Sequence, residues 1–262
     1  MKRILIIAGS DSCGGAGIQA DTKTITSLSA HALTVITAVT AQNSLGITAI
    51  HKVPARFIAA QIETLIDDLM PDAVKIGMLY STQAIKEVAR SVKKHKLPNV
   101  VVDPILRAST GARLMEPEGI SLLKKSLLPL ANMVTPNLYE AGILAGKKVK
   151  DLNGMTEAAK LIKALGPDVV ITGGHLTGRC VDLLYDGSDF YHFSGSRIDT
   201  PHTHGSGCVF STALATFLAQ EKGVINATKL AHDFTRRAII NGYPCGRGRG
   251  PVRPGYNLKS QS

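Results

Sequence analysis

The feature that most constrains this chain is its alternation of short, almost wholly apolar runs with longer segments of helical period. Runs without polar alternation belong to strands buried on both faces, and a strand-then-helix order buries them beneath helices wound over a parallel sheet. The pattern predicts strands at residues 2–8, 32–41, 73–79, 99–102, 133–135 and 169–172. Helices are expected at 16–29, 55–69, 82–95, 118–130, 137–145 and 156–165. In the second of these, Phe57, Ile58, Ile62, Leu65, Ile66 and Leu69 share one face. The rhythm then changes: Asp186-Gly187 between apolar runs at 181–185 and 190–193 signals a hairpin, and helices at 208–220 and 225–241 follow. The expected architecture is an α/β three-layer sandwich, a mostly parallel central sheet with helices on both faces. It forms one domain over 1–262, with a basic, loop-like C-terminal segment at 244–262.

A chain of 262 residues buries about three quarters of its unfolded surface and needs no disulfide or metal staple. Its 30 Lys and Arg against 20 Asp and Glu give a net charge of +10, a balance suited to an anionic partner: nucleic acid, a membrane surface or a phosphorylated small molecule. Six of the basic residues, Arg236, Arg237, Arg247, Arg249, Arg253 and Lys259, lie between 236 and 262, where there is no acid. No apolar run approaches the roughly 18 residues of a membrane span. The opening Met1-Lys2-Arg3 and its apolar run end at once in Gly9-Ser10-Asp11, which reads as a first strand rather than a signal peptide. Cys13, Cys180, Cys208 and Cys245 form no CxxC pair, so free thiols in a reducing, cytoplasmic setting are expected.

In such sheets ligands bind where strands end and helices begin, because free N–H groups converge there. Four junctions carry polar residues. The first, Gly9 to Asp21, is rich in Gly and Ser. A Walker A loop would need Lys where Gly15 stands, which excludes that nucleotide site. Gly15-x-Gly17-x-x-Ala20 matches a loose dinucleotide fingerprint, yet Gln42-Asn43-Ser44 occupies the place of its ribose-binding acid. Asp21 either complements the helix dipole or serves the site. The second junction, Thr203-His204-Gly205-Ser206-Gly207-Cys208, opens a helix and aims successive N–H groups at one point, which suits an anion; the alternative is a small-residue cap made for packing. Cys208 in the first turn is either a thiolate favoured by the helix end or an inert buried thiol. His202-x-His204 lacks companions for a metal. The third junction offers Asp103 as a magnesium ligand. The fourth places Asn137 and Glu140 at i and i+3, as a cap or as part of a site. An anion hole, acids suited to magnesium and a proton acceptor in one sheet suggest phosphoryl transfer.

These residues carry a resemblance. Ala8-Gly9-Ser10-Asp11 leading to Gly14-Gly15-Ala16-Gly17-Ile18-Gln19-Ala20-Asp21 resembles the N-terminal signature of the hydroxymethylpyrimidine/phosphomethylpyrimidine kinases of thiamine biosynthesis. Matches continue in order through Val39-Thr40-Ala41-Gln42-Asn43, Lys75-Ile76-Gly77-Met78-Leu79, Val101-Val102-Asp103-Pro104, Thr135-Pro136-Asn137-Leu138-x-Glu140-Ala141, Gly173-Gly174-His175, Thr203 to Cys208, and Gly248-x-Gly250-Pro251-Val252. The resemblance implies a ribokinase-like fold, ATP as co-substrate, Mg2+, and two phosphorylations. The first acts on the hydroxymethyl of 4-amino-5-hydroxymethyl-2-methylpyrimidine, the second on the resulting monophosphate to give the diphosphate. It places Gln42 at the aminopyrimidine edge, Asp21 near the substrate hydroxymethyl, Met78 and Ile105 on the ring, and Gly9 with them at the substrate. Gly205, Ser206 and Gly207 become the anion hole and Cys208 the base. Asn137, Glu140, Thr172 and His204 serve the nucleotide, and Asp103 and Glu140 the metal. It also implies a homodimer with small-molecule substrates and no nucleic-acid or membrane partner.

Three departures stand out. Thr172 replaces a Lys common before Gly-Gly-His, Ser109 replaces another, and Ser206 and Val209 replace a Thr pair. Arg107 is expected to supply substitute charge to a substrate phosphate, and Arg247, Arg249 and Arg253 either to border the phosphate site or to form a simply solvated basic end. Cys208→Ser is expected to impair the first phosphorylation far more than the second, whose nucleophile is already ionised. The rivals are a pyridoxal/pyridoxine kinase of the same fold and, from another class, a ligand sensor or nucleic-acid binder. Against the binder, no recognition motif is visible and aromatics make up only 5% of the chain.

Overall fold

The computed structural model describes residues 1–108, 110–174, 176 and 180–255. Ser109, His175 and Lys259, which the sequence reading singled out, lie outside the described residues.

The apolar runs become the inner strands of a nine-stranded sheet: β1 (Arg3–Asp11), β2 (His31–Asn43), β3 (Gly46–Lys52), β4 (Ala73–Ile76), β5 (Val100–Val102), β6 (Met133–Val134), β7 (Asp168–Ile171), β8 (Cys180–Tyr185) and β9 (Phe190–Gly195), in the order β3-β2-β1-β4-β5-β6-β7-β8-β9. Pairings from β2 through β7 are parallel, while β3, β8 and β9 add antiparallel edges. Helices α1 (Gly17–Ser27), α2 (Ala55–Asp68), α3 (Thr82–His95), α4 (Gly119–Leu122), α5 (Leu138–Ala145), α6 (Leu152–Lys163), α7 (Ser206–Ala219) and α8 (Val224–Ile240) cover both faces. One core joins the sheet to α2, α3, α5 and α6; the other joins it to α1, α7 and α8. The expected sandwich with a mostly parallel sheet is therefore present. No helix among the described residues is long and apolar enough to cross a membrane.

Four details differ from expectation. The edge strand β3 is an addition to the expected elements. Its residues are half-buried or exposed, so it lacks an apolar signature, and an Asn43 side-chain turn, accepting from the Leu45 and Gly46 N–H groups, folds it onto β2. The expected helix at 118–130 is split into α4, a π-turn at Leu123–Leu127 and a 3-10 turn at Leu128–Leu130. Pro129 is the cause, since it has no N–H and crowds the carbonyl four residues back. Helix α6 begins earlier than its apolar period suggests, because Asp151 accepts the Gly154 N–H as its cap. Phe57 faces solvent, leaving Ile58 and Ile62 as the buried residues of α2.

A third, small apolar cluster of Ala38, Met78 and Leu114, flanked by Ile47, Ile50, Tyr80, Ile105 and Ala108, lies at the carboxyl end of the sheet. This end also carries Asp103 after β5 and Thr172 after β7, and the site opens there.

Candidate active site

The first glycine-rich turn is closed by its own acid. Asp11 accepts the N–H groups of Cys13, Gly15 and Ala16 and faces His204 Nε2 at 3.0 Å. Burial opposes its ionisation, but the hydrogen bonds from His204 and the backbone prevail and hold Asp11 below the usual carboxylate range. The turn's N–H groups are thus spent on Asp11 and do not form a phosphate cradle. Close approach fixes two glycines here. Gly17, at φ +57°, has room for no Cβ because Gly9 O would lie 2.3 Å from it. Gly205, at φ +83°, is pressed onto Gly15 O in the same way. The α7 start and the first turn therefore interlock backbone to backbone.

Gly205 is the N-cap of α7 and provides no side-chain cap. Ser206 N–H bonds Thr203 O, while those of Gly207 and Cys208 belong to the first turn, whose N–H groups have no intrahelical acceptor. These residues line a cavity of about 1540 Å³. Small residues and the positive helix end give this stretch the character that suits an anion. Cys208 is 7% exposed in that first turn. Its position at the helix end led to the expectation of a favoured thiolate. Burial instead pushes the Cys208 thiol up to about 12, with the carboxylates of Asp21 and Asp103 adding to the rise against Lys75 and the Gly17 N–H. Local helix electrostatics loses to the low-dielectric surroundings.

Beneath α7 lies a buried polar network. Lys75, fully buried on β4, reaches both oxygens of Asp21, at 3.0 and 2.8 Å, and Thr212 Oγ1 donates to Asp21 Oδ1 at 2.7 Å. The resemblance implied Asp21 near the substrate hydroxymethyl, but Asp21 does not line the cavity. It is 0% exposed and anchors helix to sheet, so neither substrate contact nor dipole compensation describes it. Burial lowers the affinity of the Lys75 amine for its proton, but Asp21, with Cys208 and Asp103 beyond, outweighs this and keeps the ammonium charged, above the usual lysine range. Ser211 on the same helix donates to Asp103 Oδ2 at 3.0 Å.

Asn137 and Glu140 form a reciprocal cap at the start of α5. Asn137 Oδ1 accepts Glu140 N–H and Glu140 Oε2 accepts Asn137 N–H, each at 3.0 Å, while Glu140 Oε1 also accepts Leu106 N–H at 3.3 Å. The cap reading holds, and both residues line the cavity as well. Burial pushes Glu140 up to about 8, with the Asp103 charge adding to it. Asp103 itself rises to about 6 through burial, opposed by Lys75 and Ser211. Two buried carboxylates that resist ionisation beside one another fit a divalent cation, which would take one or two carboxylates and draw its other ligands from phosphate oxygens. Among the described residues no three His, Cys, Asp or Glu side chains group to hold a metal by themselves.

The cavity gathers most of the residues the sequence singled out. Its lining includes Gly9 and Gln42 with Met78, Ile105 and Leu114 of the small apolar cluster, and also Thr172, Asp182, His232, Thr235 and Arg236. His204, expected at the nucleotide, lines the cavity with its Nε2 3.5 Å from the Gln42 amide and 3.0 Å from Asp11. Arg107 lines the cavity with its guanidinium 4.9 Å above the Tyr139 ring. Of the C-terminal arginines expected at the phosphate site, Arg249 lines the cavity, whereas Arg247 and Arg253 do not. Sequence reasoning assigned no role to Asp11, Lys75, Ser211, Thr212 or the His232–Asp182 pair, joined at 2.7 Å. Two signals were available: Asp11 within a glycine-rich turn, and a Lys in an otherwise apolar strand.

Comparison with known proteins bears on family and fold. The family model described as phosphomethylpyrimidine kinase matches residues 11–253. The thiamine biosynthesis bifunctional protein of Geobacter sulfurreducens is 45% identical over 95% of this chain, which spans only 51% of that longer relative. The hydroxymethylpyrimidine/phosphomethylpyrimidine kinase of Bacillus subtilis is 42% identical over 95% of this chain and 93% of its own length. Among solved structures, an ADP complex of Bacillus subtilis pyridoxal kinase superposes with a TM-score of 0.93 at 39% identity, covering 99% of both chains. The phosphomethylpyrimidine kinase of Clostridium difficile superposes with a TM-score of 0.82 at 38% identity, covering 91% of this chain and 100% of its own.

Proposed function

Because the chain belongs to the phosphomethylpyrimidine kinase family, we propose that it transfers the γ-phosphoryl group of ATP to a hydroxymethyl substituent on a six-membered nitrogen heteroaromatic ring. The observation that carries this reading is one continuous cavity. It joins an apolar, amide-edged ring pocket to an uncapped helix start and two buried carboxylates. Pyridoxal is the ring that the structural likeness favours, since the pyridoxal kinase of Bacillus subtilis follows this chain along its whole length and more closely than the phosphomethylpyrimidine kinase of Clostridium difficile. The second reading, 4-amino-5-hydroxymethyl-2-methylpyrimidine and its monophosphate, is supported by the curated relatives and by Gln42, whose amide can pair with an aminopyrimidine edge.

In this reading Met78, Ile105 and Leu114 hold the ring face and Gln42 its polar edge. The Gly207 and Cys208 N–H groups meet the charge on the transferring phosphoryl, where preorganised donors act most strongly. Asp103 and Glu140 would hold Mg2+, which when bound neutralises phosphate charge. Cys208 stands at the attacking hydroxyl as a neutral thiol. Phosphoryl transfer through a loose transition state asks little of a base until the new bond has formed. The test offers ATP, magnesium and either pyridoxal or the hydroxymethylpyrimidine, compares kcat/KM, and resolves products by mass. A pyridoxal monophosphate supports the first ring, and a pyrimidine diphosphate the second. Failure to phosphorylate either ring overturns the reading.

A further inference from the structure

We propose that Asp21 and Thr212 are positioning residues for phosphoryl transfer: the bond from the Thr212 hydroxyl to Asp21 fixes the turn of α7 whose N–H groups receive the phosphoryl group. The inference rests on the kinase reading and assigns a role to a buried pair that touches no substrate.

Three observations carry it. First, α7 has no side-chain cap, so apart from the backbone interlock at Gly205 its side-chain anchors lie one turn further along. Second, the inward face of the helix carries Cys208, Ser211 and Thr212, spaced i, i+3 and i+4, and two of these side chains bond to carboxylates on other elements: Ser211 to Asp103 after β5, Thr212 to Asp21 on α1. Third, Asp21 is locked by two short contacts from Lys75, with both side chains 0% exposed, so the Thr212 hydroxyl is tied to the centre of the sheet rather than to another mobile side chain. Buried charges of this kind are rare unless paired, and exchanging the pair for apolar packing often costs no stability. What the network adds is direction. It places the start of α7 one turn above a fixed point shared by α1 and β4. Small displacements of an anion site reduce transfer strongly, an ångström being worth about 100-fold in rate.

Asp21→Ala would leave Lys75 buried without a partner and puts folding itself at risk, so the decisive variant is Thr212→Val, close in shape and leaving the Lys75–Asp21 pair intact. Thr212→Ser is its conservative rescue. Three readouts are compared with wild type: kcat and KM for the ring substrate, the melting temperature, and amide hydrogen exchange at residues 206–209. Thr212→Val is expected to lower kcat by roughly 10-fold with KM for the ring unchanged and to quicken exchange in the first turn of α7. Thr212→Ser is expected to restore both. A Thr212→Val enzyme with wild-type kcat and exchange, whatever its melting temperature, overturns the proposal; so does a rise in KM alone. Should wild type phosphorylate neither ring, the function reading fails, while the exchange arm still decides whether Thr212 fixes the turn.

Discussion

Replacing Glu140 by Gln should make the ligand-free protein more stable in mild alkali, because this site is built at the expense of stability. Glu140 is 4% exposed, and burial together with the neighbouring Asp103 raises its carboxyl from the usual 4.5 to about 8. Below pH 4.5 both folded and unfolded chains hold the proton. Between 4.5 and about 8 the unfolded chain releases it while the folded chain keeps it, so stability falls as pH rises through that window. The shift corresponds to roughly 5 kcal/mol, at 1.36 kcal/mol per unit. A glutamine side chain at this position has no proton to release and escapes that loss. It replaces the acid's second oxygen, which can still accept the Asn137 or the Leu106 N–H, with an NH2 that cannot, at about 1 kcal/mol. Glu140→Gln should therefore melt slightly below wild type at pH 4.5 and about 10 °C above it at pH 8.5, at roughly 2–4 °C per kcal/mol. Thermal melts at the two pH values, without nucleotide or magnesium, supply the comparison. Equal destabilisation at both would refute the reasoning, since it would mean that Glu140 is a cap whose charge carries no penalty.

The Cys208 thiol, held near 12, is ionised to about one part in 10⁵ at pH 7. Cys208→Ser should therefore lower kcat for the ring hydroxymethyl by less than about 10-fold, against the 10²–10⁴ expected from losing a general base; steady-state kinetics with a single-phosphorylation substrate reads this, and a thousandfold loss would reinstate the thiolate. Arg107→Ala frees Tyr139 and removes a cation from the cavity, so KM for a phosphomonoester ring should rise about 10-fold while that for the unphosphorylated ring holds. An unchanged monophosphate KM would remove Arg107 from phosphate recognition. Thr212→Val, in turn, should separate kcat from KM as argued above.

The inner strands were legible because a strand covered on both faces can be little else than apolar; Ile4 to Ile7 and Val100 to Val102 are at most 1% exposed. Strand β3 was hidden for the opposite reason, its open faces asking nothing distinctive of its residues. Pro129 was visible, but the π-turn it forces depends on how the chain regains its hydrogen bonds. At the site, strand–helix junctions pointed to Asp103, Asn137, Glu140 and Gly205 to Cys208, and the family resemblance to Gln42; all of them line the cavity. What a local reading missed were charges set by distant partners. Asp21 meets Lys75 and Thr212 from 54 and 191 positions away. Asp11 meets His204 across 193. Cys208 takes its proton affinity from the interior rather than from its own helix.

The most direct test of the account is the rate of ADP release from wild-type protein at saturating ATP and magnesium, measured with and without a hydroxymethyl heteroaromatic ring. A kinase whose anion site and ring pocket share one cavity should release ADP at least roughly 100-fold faster when pyridoxal or the hydroxymethylpyrimidine is present, with one phosphoester formed per ADP in the initial phase. ADP release that is indifferent to either ring, or that yields only inorganic phosphate, would contradict it.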